Sequence, residues 1–130
     1  MADGGGDGAR GMIAGGAVLA GVAVACGAFG AHVLRGMLGP AEFGWWHTAV
    51  EYQMWHGLAL VALGLAGKSW ARAPARLLGG GAAVFSATLY TMALGGPRWL
   101  GAVTPLGGLL MMAGWAVLAW RALTADRCQG

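Results

Sequence analysis

The sequence predicts an all-α fold, an integral membrane bundle of four helices. Hydrophobic residues make up 58% of the chain and charged residues only 10%, which is far from the balance of a soluble domain. The apolar residues also gather into four runs, separated by short breaks that carry proline, arginine or lysine. One domain of 130 residues cannot hide that much apolar surface from water, whereas lipid can cover it.

The first run is Met12 to Leu34, closed by Arg35, with His32 its one ionisable group. The second begins near Trp45 and ends before Lys68, the third is Leu77 to Leu94, and the fourth is Leu106 to Trp120, closed by Arg121. A span needs about 20 residues to cross ~30 Å of hydrocarbon, so the first two are ample and the last two slightly short. Flanking residues make up the difference. Thr104 is placed to cap the fourth helix with Pro105 at its first position, and Pro40 to open the second, with Trp45 and Trp46 as interface anchors. The expected domain is therefore 11–123. An acidic, glycine-rich tail over 1–10 is expected to be disordered, and a short tail follows over 124–130. Arg10, the apolar stretch and "AVACG" also imitate a signal peptide ahead of Cys26. Cleavage there would discard a helix rich in small residues suited to packing, so the segment reads as a span. Cys26 and Cys128 lie at different levels and form neither a disulfide framework nor a metal site.

Lysine and arginine set the orientation. With four spans, one side carries Arg10, Lys68, Arg72, Arg76, Arg121 and Arg127, and the other only Arg35 and Arg98. Both termini are expected in the cytoplasm, with the loops around Pro40 and Pro97 outside. These charges flank apolar runs and form no basic patch interleaved with aromatics, so nucleic acid is not an expected partner. Membrane lipids are, and so is a membrane-protein partner or a second copy of the chain.

Small residues four apart, Gly11 with Gly15, Gly27 with Ala31, and Gly79 with Ala83 and Ala87, are expected to let helix backbones approach. Gly27 in particular is expected at near-backbone distance from a neighbour. Met111, Met112, Trp115 and Trp120 read as packing and interface residues rather than a cofactor box.

The second run opens with ionisable chemistry, "WWHTAVEYQMWHG". Counting back from Lys68, the outer hydrocarbon edge falls near Thr48, with Glu51 about 5 Å and His56 about 12 Å below it. His32, Ser86 and Tyr90 reach similar levels on the first and third helices. The other half of every span lacks ionisable groups and hydroxyls. His47 and Glu51 share one face of the second helix, while Tyr52, Gln53 and His56 occupy another and must look inward to find partners. The candidate cluster is thus His32, Glu51, Tyr52, Gln53, His56, Ser86 and Tyr90, with Glu51 pairing with His47 or His32. Such a cluster either sets helix register or holds a ligand. Haem ligation by His32 and His56 is disfavoured by a depth difference of about 10 Å. No nucleophile with a base, phosphate loop or zinc spacing is present, so no catalytic or metal residue is assigned; whether the chain is an enzyme stays open, with the balance against it, and its cofactor is unknown.

Four motifs, "GAFGAH" from Gly27, "TAVEYQMWHGLAL" from Thr48, "FSATLY" from Phe85 and "TPLGG" from Thr104, occur in order. In them the chain resembles the YgdD-like family of small inner-membrane proteins of unknown function, with similar proteins in mitochondria. The resemblance covers roughly Met12 to Trp120 and places His32, Tyr52, Gln53, His56, Ser86 and Tyr90 on motif positions. Ala87 and Thr88 stand where that family often has Gly and Ser. The resemblance implies location and topology, and leaves three functions: an accessory or scaffold protein, a binder of a quinone or lipid head group at the outer leaflet, or a transporter or proton pathway. The apolar inner half disfavours the third. Reporter fusions at the C-terminus and in the loop near Pro97 should report cytoplasm and periplasm respectively. A periplasmic C-terminus would contradict both span count and orientation.

Overall fold

The structure, a computed structural model, describes residues 4–125. It consists of α1 (Gly4–His32), α2 (Pro40–Ala66), α3 (Arg72–Ala93) and α4 (Leu100–Ala125), with short 3-10 turns at Leu34–Gly36 and Ser69–Ala71. The shortest helix, α3, has 22 residues, or about 33 Å at the α-helical rise, so each of the four can cross ~30 Å of hydrocarbon. By composition as well as length, Gly6–His32 and α4 suit a membrane span. Helices α2 and α3 carry more polar residues, and these are the inner pair.

Local signals fix the ends. Pro40 begins α2, where its missing N–H costs nothing, and Gly67 ends it in the left-handed region with φ 65°. Two starts differ from expectation. Helix α1 begins at Gly4, ahead of the expected boundary at Gly11, with Asp7 facing the positive end of the helix dipole. Helix α4 begins at Leu100, and Pro105 lies inside it. Thr104 is not a cap: its hydroxyl donates back to the Leu100 carbonyl at 3.0 Å. Bonds from the amides of Leu100, Gly101 and Ala102 to the carbonyls of Pro97, Arg98 and Trp99 start the helix instead. Arg127 and Cys128 lie outside the described residues.

The helices stand side by side as two antiparallel hairpins. Helix α1 packs on α2 and α4 on α3, the hairpins join along α2 and α3, and α1 touches α3 only slightly. Both ends of the described chain therefore lie at one end of the bundle. There Arg121 donates to the Trp70 carbonyl at 2.8 Å, tying α4 to the turn before α3.

Within each hairpin the backbones touch. Among its described side chains helix α1 buries Gly16, Ala23 and Gly30, seven residues apart, and α2 answers with Gly57 and Gly64. A Cβ on Gly57 would stand 2.9 Å from the Gly16 carbonyl oxygen, and one on Gly16 2.8 Å from the Val61 nitrogen. The second hairpin repeats the device. A Cβ on Gly81 would meet the Gly107 carbonyl oxygen at 2.7 Å, and one on Gly107 the Phe85 nitrogen at 2.6 Å. A seven-residue spacing keeps one stripe facing a partner at the shallow left-handed crossing, whereas a four-residue spacing suits the opposite hand.

The expected four-residue stripes are consequently not the seams. Nothing lies within 4 Å of a Cβ built on Gly11 or Gly15, and one on Gly27 meets only Val50 Cγ1 at 3.4 Å, ordinary van der Waals contact. Ala31, Ala83 and Ala87 are exposed, and Gly79 borders Leu60. Trp46 is not an interface anchor either. It is buried, covers Gly30, donates to the Cys26 carbonyl at 2.8 Å and packs on Tyr90 with ring centroids 4.6 Å apart. Its neighbour Trp45 is half-buried.

Val18, Val22, Leu58, Leu65, Leu109 and Leu123 are among the large apolar residues left exposed. Apolar exposure of this extent needs a nonaqueous cover. Replacing Gly57 or Gly107 by Leu should lower stability in detergent by ~1 to 3 kcal/mol through overpacking. Gly15→Leu and Gly21→Leu, where a Cβ meets nothing, should unfold like the parent, as thermal unfolding can check.

Candidate functional site

Helix α2 makes polar contacts with each of the other three helices. Gln53, buried, donates its side-chain amide to the Leu19 carbonyl of α1 at 2.8 Å and accepts the Tyr90 hydroxyl of α3 at 2.9 Å. Ser86 of α3 donates to the Ala49 carbonyl of α2 at 3.2 Å. These bonds fix the register of three helices. Beside them, Thr88 and Thr104 join α3 to α4 through hydroxyls 2.8 Å apart.

His56 points the other way, toward α4. Its Nδ1 lies 2.7 Å from the Tyr52 carbonyl oxygen, and the Trp115 indole N–H donates to its Nε2 at 3.1 Å. An indole nitrogen can only donate and a carbonyl can only accept. The proton of this imidazole therefore sits on Nδ1, and Nε2 is an acceptor. The Tyr52 ring lies nearly parallel to the imidazole, with centroids 6.1 Å apart and planes 10° apart. Its other flanks meet Phe85 at 4.8 Å and Trp55 at 5.2 Å.

The His56–Trp115 pair lines a lateral groove of about 610 Å³ between α2 and α4. Phe85 of α3 forms its floor, and Tyr52 and Trp55 on one side face Leu109, Met112 and Trp115 on the other. The groove exists because α4 is drawn onto α3 at glycine distance while α2 and α4 stay apart. Gly108 on its rim has no neighbour within 4 Å of a Cβ position. The volume falls in the range of small-molecule sites, and the mainly apolar, aromatic lining with a few fixed polar atoms is their usual chemistry.

The expected cluster divides into parts. Gln53 and Tyr90 bond to each other in the interior and Ser86 to the α2 backbone one turn away, while Tyr52 and His56 face the groove. Gln53 and His56 are about 60° apart round the helix, enough to aim them at different neighbours. Glu51 takes the first of its two expected partners, His47, at 3.3 Å on the outer surface. His32 is exposed at the end of α1 and joins neither set. Helix α1 lies on the side of α2 away from α4, so His32 and His56 do not converge on an iron site. Among the described residues no three His, Cys, Asp or Glu side chains could hold a metal together.

Trp115, expected as a packing or interface residue, lines the groove and bonds to His56. Its signal was position: tryptophan usually anchors at the ends of a span, and Trp115 sits well inside one, where the indole N–H must find a partner. Thr88 and Thr104 were also undervalued, since a hydroxyl can bond within its own helix and still reach a neighbour.

Comparison with known proteins follows the motifs. A family profile described as a protein of unknown function, DUF423, matches residues 26–108. The chain is 44% identical over 109 residues to the UPF0382 membrane protein SH2409 of Staphylococcus haemolyticus, covering 79% of this chain and 87% of that one. It is 41% identical over 108 residues to the UPF0382 inner membrane protein YgdD of Escherichia coli K12, covering 80% and 82% respectively. No solved structure matches.

Proposed function

The chain belongs to the DUF423 family of inner-membrane proteins, and we propose that within it the groove between α2 and α4 takes up a ring-bearing membrane lipid of the quinol class. One observation carries the proposal: an acceptor and a donor, His56 Nε2 and the Trp115 N–H, meet at 3.1 Å on the wall of an otherwise aromatic and apolar groove. In this arrangement each satisfies the other.

A hydroxyl both donates and accepts. A quinol hydroxyl can insert between the two groups, taking the Trp115 N–H and donating to Nε2, so that no bond is lost. A quinone carbonyl only accepts. It would separate the pair and leave Nε2 unpaired, at a cost of ~1 to 3 kcal/mol. Phe85 and Tyr52 offer ring faces for the head group, and the lateral mouth lets an isoprenoid or acyl tail stay in the bilayer. Passage of a solute or proton through a single bundle is not favoured, because Gly57 to Gly67 and Leu77 to Phe85 offer no ionisable group or hydroxyl toward the other end.

A second reading, assembly with another membrane protein or a second copy, is favoured by α1. Gly15 and Gly21 lie on its surface with open space around them, where a further helix can approach closely. The readings are compatible, since no residue of α1 lines that groove.

Titration calorimetry of the detergent-solubilised protein with a short-chain quinol, kept reduced, and with its quinone tests the first reading. The quinol should bind at least about fivefold more tightly, the lower end of the cost of an unpaired acceptor. His56→Leu should abolish that preference, while Gln53→Leu should lower stability and leave it in place. Equal binding of the two redox forms, or an unchanged preference in His56→Leu, would exclude the proposal.

A further inference from the structure

A different groove, of about 330 Å³, lies between α1 and α3 at the end that carries both chain termini. Its lining combines glycines of both helices, Gly8, Gly11 and Gly79, with Leu60 of α2 and two arginines, Arg72 and Arg76. We propose that this groove binds an anionic phospholipid, its phosphodiester at Arg72 and Arg76 and one acyl chain lying along the glycine walls onto Leu60.

The arginines are one helical turn apart at the start of α3, so they lean over the same side of the helix. Arg72 is already positioned. It has interactions within the protein, and its guanidinium rests against α1 so closely that a Cβ on Gly8 would lie 2.8 Å from its Cζ. Arg76 is exposed. The positive end of the α3 dipole lies on the same side. Below the arginines the walls turn apolar. A Cβ on Gly11 would meet nothing within 4 Å, and Gly79 faces Leu60 Cδ2.

A free phosphate would satisfy the mouth and leave the apolar part empty, and an uncharged lipid would do the reverse. An amphiphile with an anionic head fits both. Basic pockets between membrane helices are a recognised form of lipid site, each cation near the surface being worth about a fivefold change in affinity. Basic residues that only set topology are interchangeable and need no groove, and this difference makes the proposal testable.

Native mass spectrometry of the full chain in detergent, titrated with phosphatidylglycerol, phosphatidylcholine or inorganic phosphate, reads the site directly. One phosphatidylglycerol per chain should be retained in preference to phosphatidylcholine, with inorganic phosphate not competing at equal concentration. Arg76→Gln should weaken retention about fivefold, and Gly11→Leu, which fills the groove without changing charge, should weaken it as well. Lys68→Gln, an equal loss of charge at the same end outside the groove lining, should leave it unchanged. Equal losses in Lys68→Gln and Arg76→Gln, full retention in Gly11→Leu, no preference for the anionic lipid, or effective competition by phosphate would each overturn the proposal.

Discussion

Hydrocarbon offers no hydrogen-bond partner, so every polar side chain carried into the membrane must find one on another part of the protein. The arrangement of this molecule follows from that constraint. The two helices richest in polar groups, α2 and α3, are inside, and the two most apolar, α1 and α4, flank them. Gln53 spends its amide on both sides of α2, and the groove-facing His56 uses both ring nitrogens. Among the described residues no buried side-chain nitrogen or oxygen lacks a partner.

The glycine seams and the polar layer are one device. Gln53, Ser86 and Trp46 all bond to backbone carbonyls of a neighbouring helix. Such carbonyls already accept one bond within their own helix, and a side chain reaches the remaining lone pair only when the helices lie close. Gly16 against Gly57 brings α1 that near to α2, within one turn of Leu19 and Gln53. The same closeness between α3 and α4, through Gly81 and Gly107, has the opposite effect on α2, leaving the slot that His56 and Trp115 line. Packing that seals one face of the bundle thereby opens another.

Much of this was legible in the sequence. Four apolar runs gave four helices in the right places, and the crowding of polar residues toward one end of the spans put Gln53, Ser86 and Tyr90 at a shared level. Depth along a helix is a count and survives errors of a residue or two. Direction round the bundle is not a count. His32 shares the level of the cluster but lies on exposed surface, because which face of α1 meets α2 depends on the crossing chosen. The seven-residue series Gly16, Ala23, Gly30 was present in the sequence, yet a chain with 26 glycines also offers many four-residue series, and only packing selects between them. Pro105 misled for a related reason: a proline within the first turns of a helix looks like its start, and Pro97 upstream had the better claim.

The chemistry of the groove turns on the state of one imidazole. Held between a carbonyl that only accepts and an indole that only donates, His56 must carry its proton on Nδ1 and present Nε2 as an acceptor to the groove. Solid-state 15N NMR of histidine-labelled protein in bilayers measures this directly, with His56 assigned by loss of its signals in His56→Leu. The expected result is a protonated Nδ1 and a bare, hydrogen-bonded Nε2 whose shift moves in Trp115→Phe. A proton on Nε2, or an Nε2 shift indifferent to Trp115, would contradict it.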